Sequence, residues 1–322
     1  MSGAMWHAVA RSQDLGRKPV RVMFDGTPVV LFRHGREVSA LHDQCPHRLV
    51  ELSKGRVVQG TLECPYHGWR FGADGNCVAI PGCLQDLPRA RVRSFGVCEV
   101  EGGIFLTTGT PDAPPRVHPM EGADPVRRVV KSSTKSTVID AAENILDATH
   151  THFTHKGLLR GLSAQRYRVA VDVSGGADWV EASYTGEERQ HGLISKLLDG
   201  TRTKGIGRYR RPGIAELEYW GPKGLVLATT FHLRQVDPET VEGIGWLVAP
   251  REGGLGHLKA LAFKPMFNIA LAQDRRVLRS AFDNARGAKP MVGPLDFLRR
   301  EIEALERGEA VDAGPKTYEI EL

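Results

Sequence analysis

Two short stretches, Cys45-Pro46-His47-Arg48 and Cys64-Pro65-Tyr66-His67-Gly68-Trp69, decide how the first part of this 322-residue chain folds. Each stretch offers one thiolate and one imidazole within a short loop, so that together they could hold metal. A single tetrahedral zinc ion usually takes ligand pairs with about two to four residues between them, whereas only Pro46 separates Cys45 from His47. A cluster of two irons, with both thiolates on one iron and both imidazoles on the other, fits the spacing better. A zinc site is the alternative.

The N-terminal part of the chain has the pattern of a small antiparallel β domain. Short apolar runs alternate with turn dipeptides such as Asp25-Gly26 and Gly102-Gly103, which favour hairpins. Prolines are then frequent up to Pro125, as in a connection between domains. We therefore predict a first domain over residues 1–108 and a second over 109–322, with 109–125 as the linker. The expected strands of the first domain are residues 20–24, 29–33, 38–41, 97–100 and 104–107.

The second domain is predicted to combine a sheet with two helical segments. One helical stretch lies near residues 139–152, and a longer one runs from about residue 265 to 282. The glycines of Gly253-Gly254-Leu255-Gly256 lack the spacing and strand context of a dinucleotide-binding loop, so we expect no flavin or nicotinamide site in this chain. The expected strands are residues 167–173, 179–184, 214–219, 225–233 and 241–248.

Composition and charge are those of an ordinary soluble protein, with 41% hydrophobic and 25% charged residues. No apolar run approaches the roughly 20 residues that a membrane span needs, and no signal peptide is visible, so we expect a cytoplasmic protein without a membrane partner. A net charge of +5 without a long basic tract does not favour nucleic acid as a partner. Of the five cysteines, we interpret Cys77, Cys83 and Cys98 as buried or loop residues without a functional role.

A basic stretch interrupted by glycines precedes one of the expected strands. A loop at this position could cover a pocket and bind an acidic substrate, but a solvated face or a docking patch for an acidic ferredoxin is the favoured interpretation. The stretch contains Lys196, Arg202, Lys204, Arg208, Arg210 and Arg211.

A second group of potential metal ligands lies in the first helical stretch. Asn144, Asp147 and His150 are spaced by three residues, which would place them along one stripe of a helix. His155 follows at a spacing of five and would point about 140° away from His150 unless the helix ends or distorts between them. From spacing alone, His152 with His155 is an alternative pair, and a solvated histidine cluster is another.

An acidic residue in the later helical stretch could complete this second site. The three- and four-residue neighbours of Asp274 are Ala270, Leu271, Val277 and Leu278, so the acid is expected on an apolar helix face. An ionised carboxylate is costly to bury alone, and coordination to a metal would offset that cost. A salt bridge to a neighbouring arginine is the alternative.

Both groups of residues resemble those of the Rieske non-haem iron oxygenases. The two opening stretches resemble the Rieske domain of their terminal, or α, subunits, and the run from Glu143 to His155 resembles their mononuclear iron motif, in the family's order. The branch that includes vanillate demethylase and dicamba monooxygenase is the most similar. The resemblance implies an α+β fold, in which an N-terminal all-β Rieske [2Fe–2S] domain precedes a helix-grip catalytic domain of antiparallel sheet around a long C-terminal helix.

The resemblance also implies the cofactors, the residue roles and the assembly. Asn144 would lie near the iron, and Asp147 would bridge a Rieske histidine of one subunit to the iron of the next in a homotrimer. The implied ligands are Cys45, His47, Cys64 and His67 for one [2Fe–2S] cluster, and His150, His155 and Asp274 for one Fe(II) per subunit.

The activity implied is that of a terminal oxygenase that hydroxylates, or O- or N-demethylates, a small organic and mostly aromatic substrate with O2. Electrons would come from NAD(P)H through a separate reductase, with or without a ferredoxin. Trp69 stands where high-potential Rieske proteins carry a hydroxyl donor to the cluster, so a low reduction potential is expected. Ring dihydroxylation, an electron-transfer protein with an inactive second domain, and a zinc-stapled binding module are the alternatives.

Overall fold

The computed structural model describes residues 4–120, 125–158, 166–186, 203–251, 255–285, 287–288, 290–311 and 314–322, with the backbone alone for 255–264. Two compact units divide the chain, Met1–Arg116 and Val117–Leu322. The division falls within the segment that the sequence analysis assigns to the linker.

The first unit is built from short antiparallel strands. Three sheets form, in the orders β1-β10-β9, β2-β3-β4 and β5-β6-β7-β8. Asp25 and Gly26, with φ of 48° and 67°, make the expected turn between the second and third strands. The strands are β1 (His7–Arg11), β2 (Val20–Phe24), β3 (Thr27–His34), β4 (Glu37–His42), β5 (Arg56–Val58), β6 (Thr61–Glu63), β7 (Arg70–Phe71), β8 (Cys77–Ala79), β9 (Gly96–Val100) and β10 (Gly103–Thr107).

Strand β3 separates the two apolar cores of this unit. Because successive side chains of a strand point to opposite faces, Val29 and Leu31 enter one core, while Val30 and Phe32 enter the other. The second core also contains the side chains of Cys45 and Cys64, together with Leu52, Leu62 and Phe71. The two cysteines are therefore anchored on a packed base.

The second unit is one antiparallel sheet of eight strands with helices beside it. The strand order is β11-β17-β16-β15-β14-β13-β12-β18. Its elements are β11 (Val126–Lys135), α1 (Val138–Leu146), α2 (Thr151–Thr154), β12 (Arg168–Gly175), β13 (Trp179–Thr185), β14 (Lys204–Arg210), β15 (Ile214–Gly221), β16 (Gly224–Gln235), β17 (Thr240–Ala249), α3 (Leu255–Ala285), α4 (Arg299–Glu306) and β18 (Lys316–Glu321).

One face of this sheet packs with the helices in an apolar core. Val180 and Tyr209 from the sheet pack with Ala142 of α1 and Ile302 of α4, and Phe267 of α3 lies against the same cluster. The predicted α+β fold, with a long C-terminal helix against an antiparallel sheet, is confirmed. Within the described part of the chain, none of the helices has the length and apolarity that crossing a bilayer requires.

The boundaries of two predicted helices were wrong. The stretch expected at residues 139–152 is divided, because α1 ends at Leu146 and α2 begins only at Thr151. Asp147 and His150 are consequently not on one helical stripe with Asn144. The long helix α3 begins at Leu255 and includes Pro265, which the sequence analysis placed at its start.

The part of the basic stretch that the structure describes is mainly a strand, not the loop considered from the sequence. Lys204, Arg208 and Arg210 lie on β14, and Arg208 pairs with Glu181 and Glu218 of the neighbouring strands. These arginines are thus held by carboxylates of the sheet instead of being free to bind an acidic substrate. Lys196 and Arg202 lie outside the described residues.

Arg299 joins α4 to α1. Its guanidinium lies 2.6 Å from both Asp140 and Glu143 of α1, and 2.7 Å from Glu303 of its own helix. Replacing Arg299 with methionine leaves three close carboxylates without their shared cation, and we expect the free energy of unfolding to fall by about 2–3 kcal/mol, as measured in urea. Arg300→Met, at the exposed neighbouring position, is the control and should change it by less than about 0.5 kcal/mol. Equal effects would contradict the role of Arg299.

Candidate metal centres

The two loops that contain the cysteines follow the same backbone path. The amide of Cys45 donates to the carbonyl of Val50 at 2.9 Å, and the amide of Cys64 donates to the carbonyl of Trp69 at 2.8 Å. At the equivalent fourth position after each cysteine, Leu49 and Gly68 have φ of 61° and 71°. Each loop is thus a tight turn that returns over its own cysteine.

These turns bring two thiols and two imidazoles together. Cys45 and Cys64 are buried, whereas His47 and His67 are exposed, with ring centroids 4.6 Å apart. Burial, reinforced by the thiol of Cys64, raises the pKa of Cys45 to about 11, so a nearby cation is needed to keep it a thiolate. Partial desolvation and the charges of His67 and Arg48 lower the pKa of His47, which favours the neutral ring that binds metal. The donor set therefore fits a metal cluster.

Buried carboxylates immediately before the two cysteines hold the loops, a feature that the sequence analysis missed. The carboxylate of Asp43 accepts hydrogen bonds from the amide and the hydroxyl of Ser53, both at 2.7 Å, and so holds the two ends of the first loop together. The carboxylate of Glu63 forms ion pairs with Arg56 at 2.7 Å and with Arg70 at 2.9 Å beside the second loop. The available sequence signal of this arrangement was an acid shortly before each cysteine, two residues before Cys45 and one residue before Cys64.

Three ligand atoms converge in the second unit. Asp274 Oδ1 on α3 lies 3.0 Å from Nε2 of His155 and 3.5 Å from Nε2 of His150, and the two Nε2 atoms are 3.3 Å apart. Three ligands on one face of an octahedron, with bonds of about 2.1 Å, are about 3.0 Å from one another. The separations therefore suit a metal ion bound on one face, with positions left for other ligands.

The electrostatics of this group also suit a cation. Oδ1 of Asp274 is buried and forms no hydrogen bond among the described residues, although both imidazoles are close. Burial acts to raise the pKa of Asp274, but His150 and His155 outweigh it and keep the pKa below its usual value. Burial likewise acts to lower the pKa of His150, but Asp147 and Asp274 raise it to about 9. The site thus attracts positive charge, which a metal ion would supply.

Both imidazoles are oriented by acceptors behind them. Nδ1 of His155 lies 2.8 Å from Oε1 of Gln273, and Nδ1 of His150 lies 2.6 Å from the carbonyl oxygen of Asp147. With the proton on Nδ1, each ring donates to its acceptor and directs the lone pair of Nε2 toward the other ligands. Gln273 was not among the predicted site residues, and its position next to Asp274 was the available signal.

Asp147 determines where α1 ends. Its Oδ1 accepts the amide of Thr149 at 2.6 Å and the hydroxyl at 2.7 Å, while Oδ2 accepts the amide of His150 at 3.1 Å. A carboxylate that binds the next backbone amides competes with helix continuation. Burial acts to raise the pKa of Asp147, but hydrogen bonds from His150 and Thr149 lower it overall, so this turn is held by a charged group.

Two other predicted residues lie outside the converging group. Asn144 is half-buried on α1, before the turn, and His152 is on α2. Among the described residues, the histidines that converge with Asp274 are His150 and His155, not His152. The geometry therefore favours the first of the two histidine pairs left open by spacing, whereas a position of Asn144 near the iron stays a prediction.

Gln273 offers a test of how the site is oriented. Gln273→Leu removes the acceptor for Nδ1 of His155 while keeping a similar volume, and we expect mononuclear iron to bind about 10- to 100-fold more weakly. Iron titration of the apo site would measure this. Gln273→Glu keeps an acceptor and should restore most of the affinity, whereas loss of binding in both variants would contradict the orienting role.

Comparisons with known proteins identify the first unit. Residues 5–95 match the model of the Rieske [2Fe–2S] domain. The first unit is a Rieske domain. This assigns the buried thiols and paired imidazoles to the part of the chain in which a [2Fe–2S] cluster is bound in that family.

Relatives and solved structures extend the similarity beyond this domain. The chain is 32% identical over 169 residues to the 3-chlorobenzoate-3,4-dioxygenase oxygenase subunit of Comamonas testosteroni, covering 49% of this chain and 39% of the relative. It is 35% identical over 158 residues to the oxygenase component of dicamba O-demethylase from Stenotrophomonas maltophilia, covering 47% of each chain. The chain thus spans about half or less of the length of these relatives.

The crystal structure of dicamba monooxygenase bound to 3,6-dichlorosalicylic acid has the same fold. The two superimpose with a TM-score of 0.76 at 24% identity, over 94% of this chain and 97% of that one. The similarity thus includes the second unit, with its sheet and long helix. The predicted resemblance to the α subunits of Rieske oxygenases is thus found in the sequence over about half of the chain, and in the fold over nearly all of it.

Proposed function

We propose that the protein is the terminal oxygenase component of a Rieske oxygenase system. The observation that carries the proposal is the convergence of Nε2 of His150, Nε2 of His155 and Oδ1 of Asp274, in a chain that also has a Rieske domain. Two histidines and one carboxylate on one face are the ligand set of non-haem Fe(II) oxygenases, which leaves positions for O2 and substrate. A Rieske protein that only transfers electrons does not need these two histidines and the aspartate as a second metal site.

The residue assignments follow from the two donor sets. Cys45 and Cys64 would hold one iron of the [2Fe–2S] cluster, and His47 and His67 the other, while His150, His155 and Asp274 would hold one Fe(II). When bound, the cluster supplies single electrons and the Fe(II) supplies O2 activation. Gln273 and the carbonyl of Asp147 keep the proton of each imidazole on Nδ1, so that the lone pair of each Nε2 stays available to bind the metal.

Asp147 is proposed to connect the two centres of neighbouring subunits. Its carboxylate lies beside His150 and carries a negative charge that the turn stabilises. In the assembly proposed here, a cytoplasmic homotrimer, a Rieske histidine of one subunit would face Asp147 of the next. Asn144 is proposed to act close to the mononuclear site.

The proposed reaction is hydroxylation, or O- or N-demethylation, of a small organic substrate, with an aromatic compound as the favoured class. The similarity to an oxygenase component named for dicamba O-demethylation supports this choice, whereas similarity to a subunit named for 3,4-dioxygenation keeps ring dihydroxylation as the second candidate. Electrons are proposed to come from NAD(P)H through a separate reductase, with or without a ferredoxin. A role in breakdown of aromatic compounds follows from this substrate class.

Metal content and oxygen consumption test the proposal together. The protein prepared anaerobically should contain about three iron atoms per chain and, when reduced, give the EPR signal of a histidine-ligated cluster. With a surrogate reductase and NADH, oxygen consumption should rise on addition of substrates drawn from methoxylated aromatics, aromatic acids and N-methyl compounds. About two irons per chain without substrate-dependent consumption would favour an electron-transfer protein, and a colourless zinc protein would favour a binding module.

A further inference from the structure

Thr229 of β16 is a polar residue within an apolar surface of the sheet. Along this strand, Leu227 and Phe231 point to the face that packs against α3, so Thr229 between them points to the same face. Its partners across the neighbouring strands are Leu217 on β15 and Leu247 on β17. The hydroxyl is therefore surrounded in the sheet by apolar side chains.

This surface is next to the proposed iron ligands. Leu227 and Leu247 form a cluster with Leu158 and with Ala270 of α3. The amide of Leu158 donates to the carbonyl of His155 at 3.0 Å, and Ala270 lies about one helical turn before Asp274. The cluster thus connects Thr229 with the elements that position two of the three ligands.

The hydroxyl of Thr229 has no hydrogen-bond partner among the described residues. The residue is 4% exposed, and its Oγ1 is buried. A buried hydroxyl without a partner is costly, and such groups usually have one in the functional state. Ligand sites commonly consist of apolar walls with a few polar groups that fix the orientation of the ligand.

We infer that Thr229 orients the substrate, and that the substrate is a small, largely apolar molecule with one hydrogen-bonding heteroatom directed at its hydroxyl. The inference rests on the proposed function for the location of the reaction, and it adds the substrate class and a residue that determines specificity. Apolar parts of the substrate would lie on the leucine cluster, while the heteroatom would satisfy Oγ1. A molecule of the same shape without the heteroatom would leave the hydroxyl unpaired and be selected against.

A pair of probes of nearly equal shape tests this inference. Anisole offers an ether oxygen where ethylbenzene has a methylene group, and the affinities of both can be measured by headspace gas chromatography over the iron-loaded protein. Thr229→Val keeps the shape and removes the hydroxyl. The preference for anisole over ethylbenzene should fall about three- to tenfold in this variant, because one hydrogen bond is lost.

The adjacent residue provides a matched control. Thr230 is 0% exposed, and its Oγ1 also has no hydrogen-bond partner among the described residues, but it points to the opposite face of the sheet. Thr230→Val should therefore leave the ratio of the two affinities unchanged. In the unliganded protein, Thr229→Val should raise the melting temperature by roughly 1–3 °C, because an unpaired buried hydroxyl is removed.

Three results would overturn the inference. The first is an unchanged anisole preference in Thr229→Val, or an equal change in Thr230→Val. The second is a lower melting temperature of Thr229→Val, which would show that the hydroxyl already has a partner in the free protein. The third is failure of the wild-type protein to bind either probe, which would refute the substrate class. The iron content of the same samples reports on the proposed function separately.

Discussion

Asp274→Ala should abolish substrate-dependent oxygen consumption, with a loss of at least two to three orders of magnitude, while the visible spectrum of the Rieske cluster stays unchanged. The carboxylate is the only acid in the converging group of described residues, and its removal leaves two neutral imidazoles to hold the iron. The iron content should therefore fall from about three atoms per chain to about two. Metal analysis and oxygen-electrode measurements on the same preparation check both effects.

A second acid of the same helix serves as the control. Asp283 lies further along α3, is exposed, and pairs with Lys135 at 3.4 Å. Asp283→Ala should keep three irons and near wild-type activity. If Asp274→Ala retained both its iron and its activity, the acidic ligand would have to be elsewhere in the chain.

Asp147→Asn should slow electron delivery from the cluster to the mononuclear iron by orders of magnitude, although both centres stay loaded. The substitution keeps the shape and one acceptor oxygen for the Thr149 amide and hydroxyl, but it removes the charge beside His150 and the second oxygen, which accepts a hydrogen bond from the His150 amide. Reduction of the cluster by the reductase should be normal, because the change is in the other unit. Single-turnover oxidation of fully reduced protein, mixed with O2 and substrate, measures the step directly.

Thr149→Val separates the charge of Asp147 from its role in the turn. This variant removes the hydroxyl that donates to Oδ1 at 2.7 Å but leaves the carboxylate charged and the amide contact in place. We expect electron delivery within a few-fold of wild type. Wild-type rates in Asp147→Asn, or an equally large loss in Thr149→Val, would assign Asp147 to the backbone turn alone.

The proposed ligand residues could be selected from the sequence because their chemistry is local. The short spacing of Cys45 to His47 disfavours an ordinary zinc knuckle, and the three-residue periodicity around Asp274 places an acid on an inner helix face. The helix face was correctly inferred for Ala270, which is buried, whereas Val277 on the same list is 46% exposed. The spacing of apolar neighbours therefore placed Asp274 on the correct helix face, but it did not give the width of the buried part of that face.

Other features depend on contacts that a pattern does not contain. The end of α1 is determined by Asp147, whose side chain could equally have pointed outward from a continued helix. Strand β14 was missed because Arg208 and Arg210 break the apolar alternation, and only their carboxylate partners on adjacent strands make those charges compatible with a sheet. The strands β5 to β8 have two or three residues each, which is too short for a periodic signal.

The unequal burial of the three remaining cysteines makes the protein suitable for selective labelling. Cys83 is exposed, while Cys77 and Cys98 are half-buried and desolvation raises the pKa of each of their thiols. Because the thiolate is the reactive form, a maleimide spin label should attach first at Cys83 without any engineered substitution. A spin label at that position would be in the same unit as the loops that contain Cys45 and Cys64. A change in the line shape of its EPR spectrum would report binding of the reductase to this unit.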